Sequence, residues 1–326
     1  LTLLIVQPRP GIGDLIWHLP LIHALADSAG GRALLLTKAS TAADVLLAPD
    51  PAIDCMKWLD RNPPEPRGRH DGVAGFARLV AMLRASGVRS AVMLHQSASL
   101  AAALALAGIP ERRGYGYGMQ RVWLNRGPYL PANWARKHPT EQASAYAAAL
   151  GLAPLPDGQE IFVPAGAAEL LRAREGTLDR WAVLGVGSTE AARCWAPERF
   201  AHLATLLVAR GYEGVLLLAS SAERALAEAV LAAVGAGRPI RLAVGWTLAD
   251  VTALLACARL FVGNDSGMLN LRVAVGGVAF GLFGVSGPLA HSARIVPIVS
   301  AAGARAGMDS IIVQDAVRAL ERAGAV

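Results

Sequence analysis

Five segments of this chain bring together residue types that could do chemistry. The first is Pro10-Gly11-Ile12-Gly13-Asp14, a glycine turn that ends in a carboxylate. A dinucleotide turn is a poor fit, because Ile16 fills the third position of G-x-G-x-x-G and Asp14 would face the pyrophosphate. The carboxylate could cap a helix, or it could be a general base held on a rigid corner. The second segment is Gly263-Asn264-Asp265-Ser266-Gly267-Met268, a small hydroxyl-bearing turn before an apolar helix. Helix-start amides and the dipole favour an anion there, and Ser266 can add a hydroxyl donor; an ordinary N-cap would use the same residues.

The third segment runs from Gly187 and Ser188 to Trp195. Its one cation, Arg193, could clamp a diphosphate with a planar fork or simply be solvated. The fourth is Ser220-Ser221-Ala222-Glu223, where the carboxylate could take ribose hydroxyls or serve a helix's first turn. The fifth spans Arg112 to Lys137, with cations Arg112, Arg113, Arg121, Arg126, Arg136 and Lys137, several aromatics and no carboxylate. It suits an anionic acceptor such as a phosphorylated or acidic sugar on a lipid, single-stranded nucleic acid, or water. No H-E-x-x-H spacing and no G-x-S-x-G elbow occur.

These segments need elements to hold them. Leu3–Gln7, 33–36, 91–94, 181–186, 215–219, 260–262 and 278–283 are short apolar runs without clean alternation, as strands buried on both faces require. Helical spacing carries Leu15, Ile16, Leu19, Ile22 and Leu25, then 76–85, 98–107, 197–209 and 248–256. The alternation predicts parallel sheets covered by helices. It restarts near residue 181, after a proline-bearing stretch with one short strand at 161–163. The expected organisation is an α/β chain of two Rossmann-like domains, 1–160 and 181–326, joined by a linker at 161–180 and facing across a cleft.

Composition agrees. The chain has 326 residues, 54% hydrophobic and only 17% charged, which excludes a disordered protein. The net charge of +6 is spread over both halves, +4 to residue 160 and +2 after it, so no nucleic-acid arm is expected. Only three of the basic residues are lysine (Lys38, Lys57, Lys137), as an arginine-rich coding bias would give. Three scattered cysteines make neither a disulfide framework nor a zinc site, and point to a reducing compartment. No secretory leader is visible. The charge-free stretch 273–290 reaches transmembrane length, but five glycines and Pro288 read as a helix end, a strand and a turn.

Taken in order, the segments resemble glycosyltransferase family 9, the ADP-heptose:lipopolysaccharide heptosyltransferases. Gly13-Asp14 through Leu19-Pro20 is similar to the family's G-D-x-x-x-x-L-P turn, and Gly187-Ser188 with Arg193-Cys194-Trp195 to its G-S…K-x-W stretch. Glu223 falls where the family carries a ribose glutamate. Gly245-Trp246-Thr247-Leu248, Asp265-Ser266-Gly267 and Phe283-Gly284 complete the series. Two positions depart from the pattern. Asn270 replaces a histidine, and Arg193 a lysine.

The resemblance implies a GT-B fold and an inverting transferase that needs neither metal nor cofactor. The expected substrates are a nucleotide sugar, ADP-linked heptose first, and an anionic glycolipid. Asp14 would be the base. Ser188, Arg193, Glu223, Asp265, Ser266, Gly267 and Met268 would bind the donor, and Gly13, Arg113, Arg121 and Arg126 the acceptor. Such an enzyme would be cytoplasmic, touching the inner face of the inner membrane, without nucleic acid as a partner. The alternatives are a GT-B binding protein without turnover and a transferase using another nucleotide sugar. A nicotinamide-dependent oxidoreductase is disfavoured by the broken glycine fingerprint.

Overall fold

The computed structural model describes residues 3–62, 67–157 and 160–326. The chain divides into two compact units, Leu1–Asp157 and Gly158–Val326. The expected edge near residue 160 touches Gly158 and Gln159, which lie outside the described residues.

The first unit is built on a five-stranded sheet of order β3-β2-β1-β4-β5, made of β1 (Leu3–Gln7), β2 (Ala33–Thr37), β3 (Ile53–Trp58), β4 (Ser90–Met93) and β5 (Glu111–Gly114). Every pairing is parallel, with Leu3 opposite both Ala33 and Ser90. The second unit holds β6 (Trp181–Gly185), β7 (Gly214–Ala219), β8 (Ile240–Val244), β9 (Leu260–Asn264), β10 (Ala279–Leu282) and β11 (Ile295–Ile298), in the order β11-β10-β9-β6-β7-β8 and again all parallel. The strands read from apolar runs are the interior ones. The sequence reading missed β3, β5, β8 and β11, which are the four sheet edges. An edge strand has one covered flank, so IDCMKW, ERRG and IRLAV carry charges, and β11 tolerates Pro297.

Two local departures have clear causes. The helix expected through Leu15–Leu25 is two helices, Ile12–Ile16 and Leu19–Ser28, with Pro20 in the first turn of the second. A continuous helix would drive the proline ring into the carbonyl of Ile16, so the chain restarts at His18. The apolar stripe survives, since Leu15, Ile16, Leu19, Ile22 and Leu25 are all buried. Residues 161–180, expected as a linker, contain the helix Ala167–Glu175, which packs on Leu248–Cys257 in the second unit. Residues 161–163 form no strand; the amides of Glu160 and Ile161 both donate to the Ala274 carbonyl. The stretch 273–290 is a helix end, β10 and a turn, and no helix among the described residues is long and apolar enough to cross a membrane.

Candidate functional site

In the first unit the site is a corner after β1. Gly11, at φ 93°, turns the chain into the short helix Ile12–Ile16, which carries Gly13 and Asp14. Two side chains hold the corner by the Asp14 carbonyl. Gln7 Nε2 donates to it at 3.2 Å, while Gln7 Oε1 accepts from Thr37 Oγ1 at 2.8 Å. His18 Nδ1 lies 2.6 Å from the same carbonyl, which can only accept, so the imidazole carries its proton on Nδ1. Burial pushes His18 down to about 4, leaving it neutral at pH 7.

The Asp14 carboxylate meets Arg9, whose Nε donates to Oδ1 at 2.6 Å. Burial raises the Asp14 carboxyl above the usual range, and the hydrogen bond and charge of Arg9, then His138, pull the other way. A half-covered carboxylate with raised proton affinity is suited to accepting a proton. Beside it opens a cavity of about 320 Å³ lined by Arg9, Lys38, Arg61, His95, Ser97 and Ser99, with no carboxylate among its described lining residues. Arg61 Nη1 donates to Ser99 Oγ at 3.0 Å. Burial and the charges of Arg9 and Lys38 lower His95 to about 4, and its buried Nδ1 has no hydrogen-bond partner.

The basic segment is engaged differently from that cavity. Arg112 donates to the carbonyls of Ile109 and Trp123, Arg121 lies over the Tyr129 ring at 4.7 Å, and Arg126 sits 3.8 Å from Glu111. Arg113 is half-buried on β5. None of Arg113, Arg121 and Arg126 lines the cavity, whereas Arg9, Lys38, Arg61 and His95, which the sequence reading passed over, do. Their common signal is position: each follows a strand, at the C-terminal edge where open α/β sheets bind ligands.

In the second unit the expected donor residues gather at the same kind of edge. Asp265 is buried after β9; Oδ2 lies 3.0 Å from Arg193 Nη1 and accepts from Ser286 Oγ at 2.7 Å. Arg193 Nε also lies 3.0 Å from Glu190 Oε2, but without the alignment of a hydrogen bond. Ser266 is the N-cap of the helix Gly267–Ala274 and its side chain makes no capping bond. The first-turn amides of Gly267 and Met268 therefore have no intrahelical partner. Asn264 ties this turn to the Arg193 loop: Oδ1 accepts from the Trp195 amide and Nδ2 donates to the Val186 carbonyl. Trp195 is fully buried against Phe200, which anchors the loop's far end.

Glu223 caps its own short turn, Oε2 accepting from the Ser220 amide at 2.9 Å and from Ser220 Oγ at 2.7 Å. Its carboxylate passes directly over Gly187, where a Cβ would stand 2.2 Å from Oε2. Ser188, beside it, accepts weakly from the Glu190 amide. Gly245, at φ +69°, brings the chain after β8 against Ser221. The next residue, Trp246, lies under Arg174 at 4.3 Å, and Arg174 is fixed by Asp250 at 3.0 Å. Among the described residues no three His, Cys, Asp or Glu side chains form a set that could hold a metal ion.

The profile of glycosyltransferase family 9 (heptosyltransferase) matches residues 77–302, more than half of the chain. The chain belongs to glycosyltransferase family 9. The matched stretch contains Arg193, Glu223 and residues 265–268, and begins after Asp14. Lipopolysaccharide heptosyltransferase 2 of Salmonella typhimurium is 28% identical over 117 residues, 33% of this chain and 33% of that protein. The match thus spans about a third of the length of this curated relative. Over the whole chain the likeness is one of fold. The E. coli ADP-heptose lipopolysaccharide heptosyltransferase II superposes with a TM-score of 0.77 at 21% identity, covering 99% of this chain and 98% of that one. A family 9 glycosyltransferase of Veillonella parvula gives 0.79 at 17% identity, covering 98% and 96%. The fold is GT-B, as expected.

Against the family 9 pattern, the asparagine that stands for histidine has a defined place. Asn270 is buried and Nδ2 donates to the Ser266 carbonyl at 3.1 Å, bracing the N-cap with a group that does not ionise. Arg193, in the lysine position, reaches Asp265 and Glu190 together, which a single ammonium would do less well.

Proposed function

We propose that this protein transfers a sugar from a nucleotide-sugar donor, ADP-heptose first, onto an anionic glycolipid of the lipopolysaccharide-core type, with inversion and without a metal ion. The donor diphosphate sits at the start of the helix Gly267–Ala274, its charge taken by the free amides, Ser266 and Arg193, while Glu223 accepts ribose hydroxyls. Ser188 completes the donor contacts. The acceptor lies against Gly13, with Arg113, Arg121 and Arg126 toward its anionic groups. Its hydroxyl oxygen attacks the anomeric carbon, the bond from that carbon to the diphosphate oxygen breaks, and Asp14 takes the hydroxyl proton. A single displacement inverts the anomeric centre. The observation that carries the reading is the pair of sites themselves: a half-buried carboxylate of raised proton affinity after β1, and an open helix N-terminus with an arginine after β9.

The acceptor's lipid places the protein at the cytoplasmic face of the inner membrane. The turn Gly118–Val122 suits that contact. Met119, Val122 and Trp123 are 67%, 68% and 36% exposed, with Arg121 and Arg126 alongside. Product analysis with ADP-heptose and core-lipid acceptors tests the reaction. Asp14→Ala should lose at least a hundredfold in transfer, the lower end of general-base contributions, and keep its ADP affinity. Normal turnover by that variant would overturn the mechanism. ADP binding with no product from any nucleotide sugar would instead favour the binding-protein reading, toward which Asn270 points.

A further inference from the structure

Arg9 touches two things at once. It is the hydrogen-bonded partner of the Asp14 carboxylate, and it lines the cavity that also receives Lys38 and Arg61. The Asp14 contact uses Nε, so it does not consume the fork of Nη nitrogens. Arg9, Lys38 and Arg61 bring three cations to a cavity with no carboxylate among its described lining residues; Asp71, its Oδ1 3.9 Å from Arg61 Nε, offsets the third only in part, and an anion relieves the repulsion that is left. His95 adds a buried Nδ1 that no protein group satisfies. Ser97 and Ser99 supply hydroxyls at the start of the helix Ala98–Leu106.

We propose that Arg9 is shared between the base and the acceptor: a phosphate monoester or carboxylate of the acceptor seats with Lys38 and Arg61, draws the Arg9 guanidinium off Asp14, and so turns an ion-paired carboxylate into a stronger base. This rests on the transferase reading for what the base does, but not for the anion site itself. Two opposed effects act on Asp14. Burial raises its proton affinity, and Arg9 holds it down. Moving Arg9 away leaves the first unopposed, at the moment a hydroxyl needs deprotonating. The other charge facing the carboxylate is His138, at the start of the helix Pro139–Ala149. His18 bonds the Asp14 backbone, and His95 stands on the cavity side of Arg9. An acceptor lacking the anionic group leaves the latch shut, so the charge selects the substrate through kcat as well as through KM.

The test is calorimetric titration of the intact protein with sulfate, whose charge is fixed from pH 4.5 to 7, in two buffers of different ionisation enthalpy. Sulfate should bind with net proton uptake, about half a proton near the midpoint of the Asp14 titration. Asp14→Asn should remove that uptake, and His95→Gln should keep it. Arg9→Gln should bind sulfate roughly tenfold more weakly, the loss of about one charge-assisted bond, and without uptake. Its kcat/KM profile should lose its acid limb at a higher pH than the parent's, with Arg9→Lys between the two. Sulfate binding without proton uptake, uptake that persists in Asp14→Asn, absence of sulfate binding, or an acid limb unmoved in Arg9→Gln would each overturn the proposal. Linked uptake in a protein that makes no glycoside would leave the anion latch standing and remove the transferase reading. Asp14-dependent transfer without any sulfate linkage would do the reverse.

Discussion

Gly187→Ala isolates the contact between the loop after β6 and the carboxylate after β7. Gly187 has an ordinary backbone conformation, so the substitution adds no φ strain; its effect is the new Cβ, 2.2 Å from Glu223 Oε2 and 2.5 Å from Oε1. The obstructed atoms are the end of a flexible side chain, so Glu223 swings away and the fold stays. Its bonds to the Ser220 amide and hydroxyl are lost, a capping loss of about 1 kcal/mol. For units of this size that is a fall of roughly 2–4 °C in melting temperature. If Glu223 takes the ribose, ADP affinity falls by about 1.5–3 kcal/mol, roughly ten- to a hundredfold, the worth of hydrogen bonds to a charged group. Pyrophosphate, which has no ribose, should bind as before. Calorimetry on Gly187→Ala, Glu223→Ala and the double variant reads all of this, and the double variant should lose no more than either single one. ADP affinity within twofold of the parent, an equal loss for pyrophosphate, or additive losses would refute the assignment of Glu223 to ribose.

Arg193→Met leaves the buried Asp265 carboxylate with Ser286 as its remaining side-chain donor; because Arg193 is partly exposed, the cost to stability should be about 1–2 kcal/mol by urea unfolding. Pyrophosphate binding should weaken as well, with Arg193→Lys recovering part of it. His18 takes a proton near pH 6.5 when unfolded but only at about 4 when folded, so the unfolded state binds more protons between those values and stability falls as pH drops through them. The full loss from His18 is about 3 kcal/mol, and His18→Gln should remove that share of the fall in urea midpoint between pH 6.5 and 4, leaving the share of His95, which is likewise lowered to about 4. Vesicles containing anionic phosphatidylglycerol should sediment the protein where neutral phosphatidylcholine does not; Arg121→Gln and Arg126→Gln should each cost about 1 kcal/mol of that binding, and Val122→Ser should weaken it further.

What is buried or marked by a turn is legible in the sequence. Interior strands such as LLIVQ and GVLLLA lie between two neighbours and under helices, which forces continuous apolar runs. Edge strands such as ERRG answer to one neighbour and look like loops. The corners at Asp14 and Asp265–Met268 announce themselves because glycine, hydroxyl and carboxylate cluster within a few residues. Arg9, Lys38, Arg61 and His95 do not cluster. They are far apart in sequence, following β1, β2, β3 and β4 in turn, and only the order β3-β2-β1-β4 stands them side by side. Conversely, the dense basic run of 112–137 drew notice, yet carbonyls, Tyr129 and Glu111 already engage several of its arginines.

Each sheet is woven from one uninterrupted length of chain. β1 to β5 all precede residue 157, β6 to β11 all follow it, and the last helix, Val313–Arg322, packs on Pro197–Ala209 and β11 of its own unit. Among the described residues no strand is lent from one half to the other. A single crossover in the gene, at the codon for Asp157, therefore exchanges a whole Rossmann-like unit without severing a sheet. Under the proposed division of substrates, nucleotide preference and acceptor preference would then be inherited as separate cassettes. Chimeras with other family 9 chains, joined at that point, are the natural way to breed new donor–acceptor combinations.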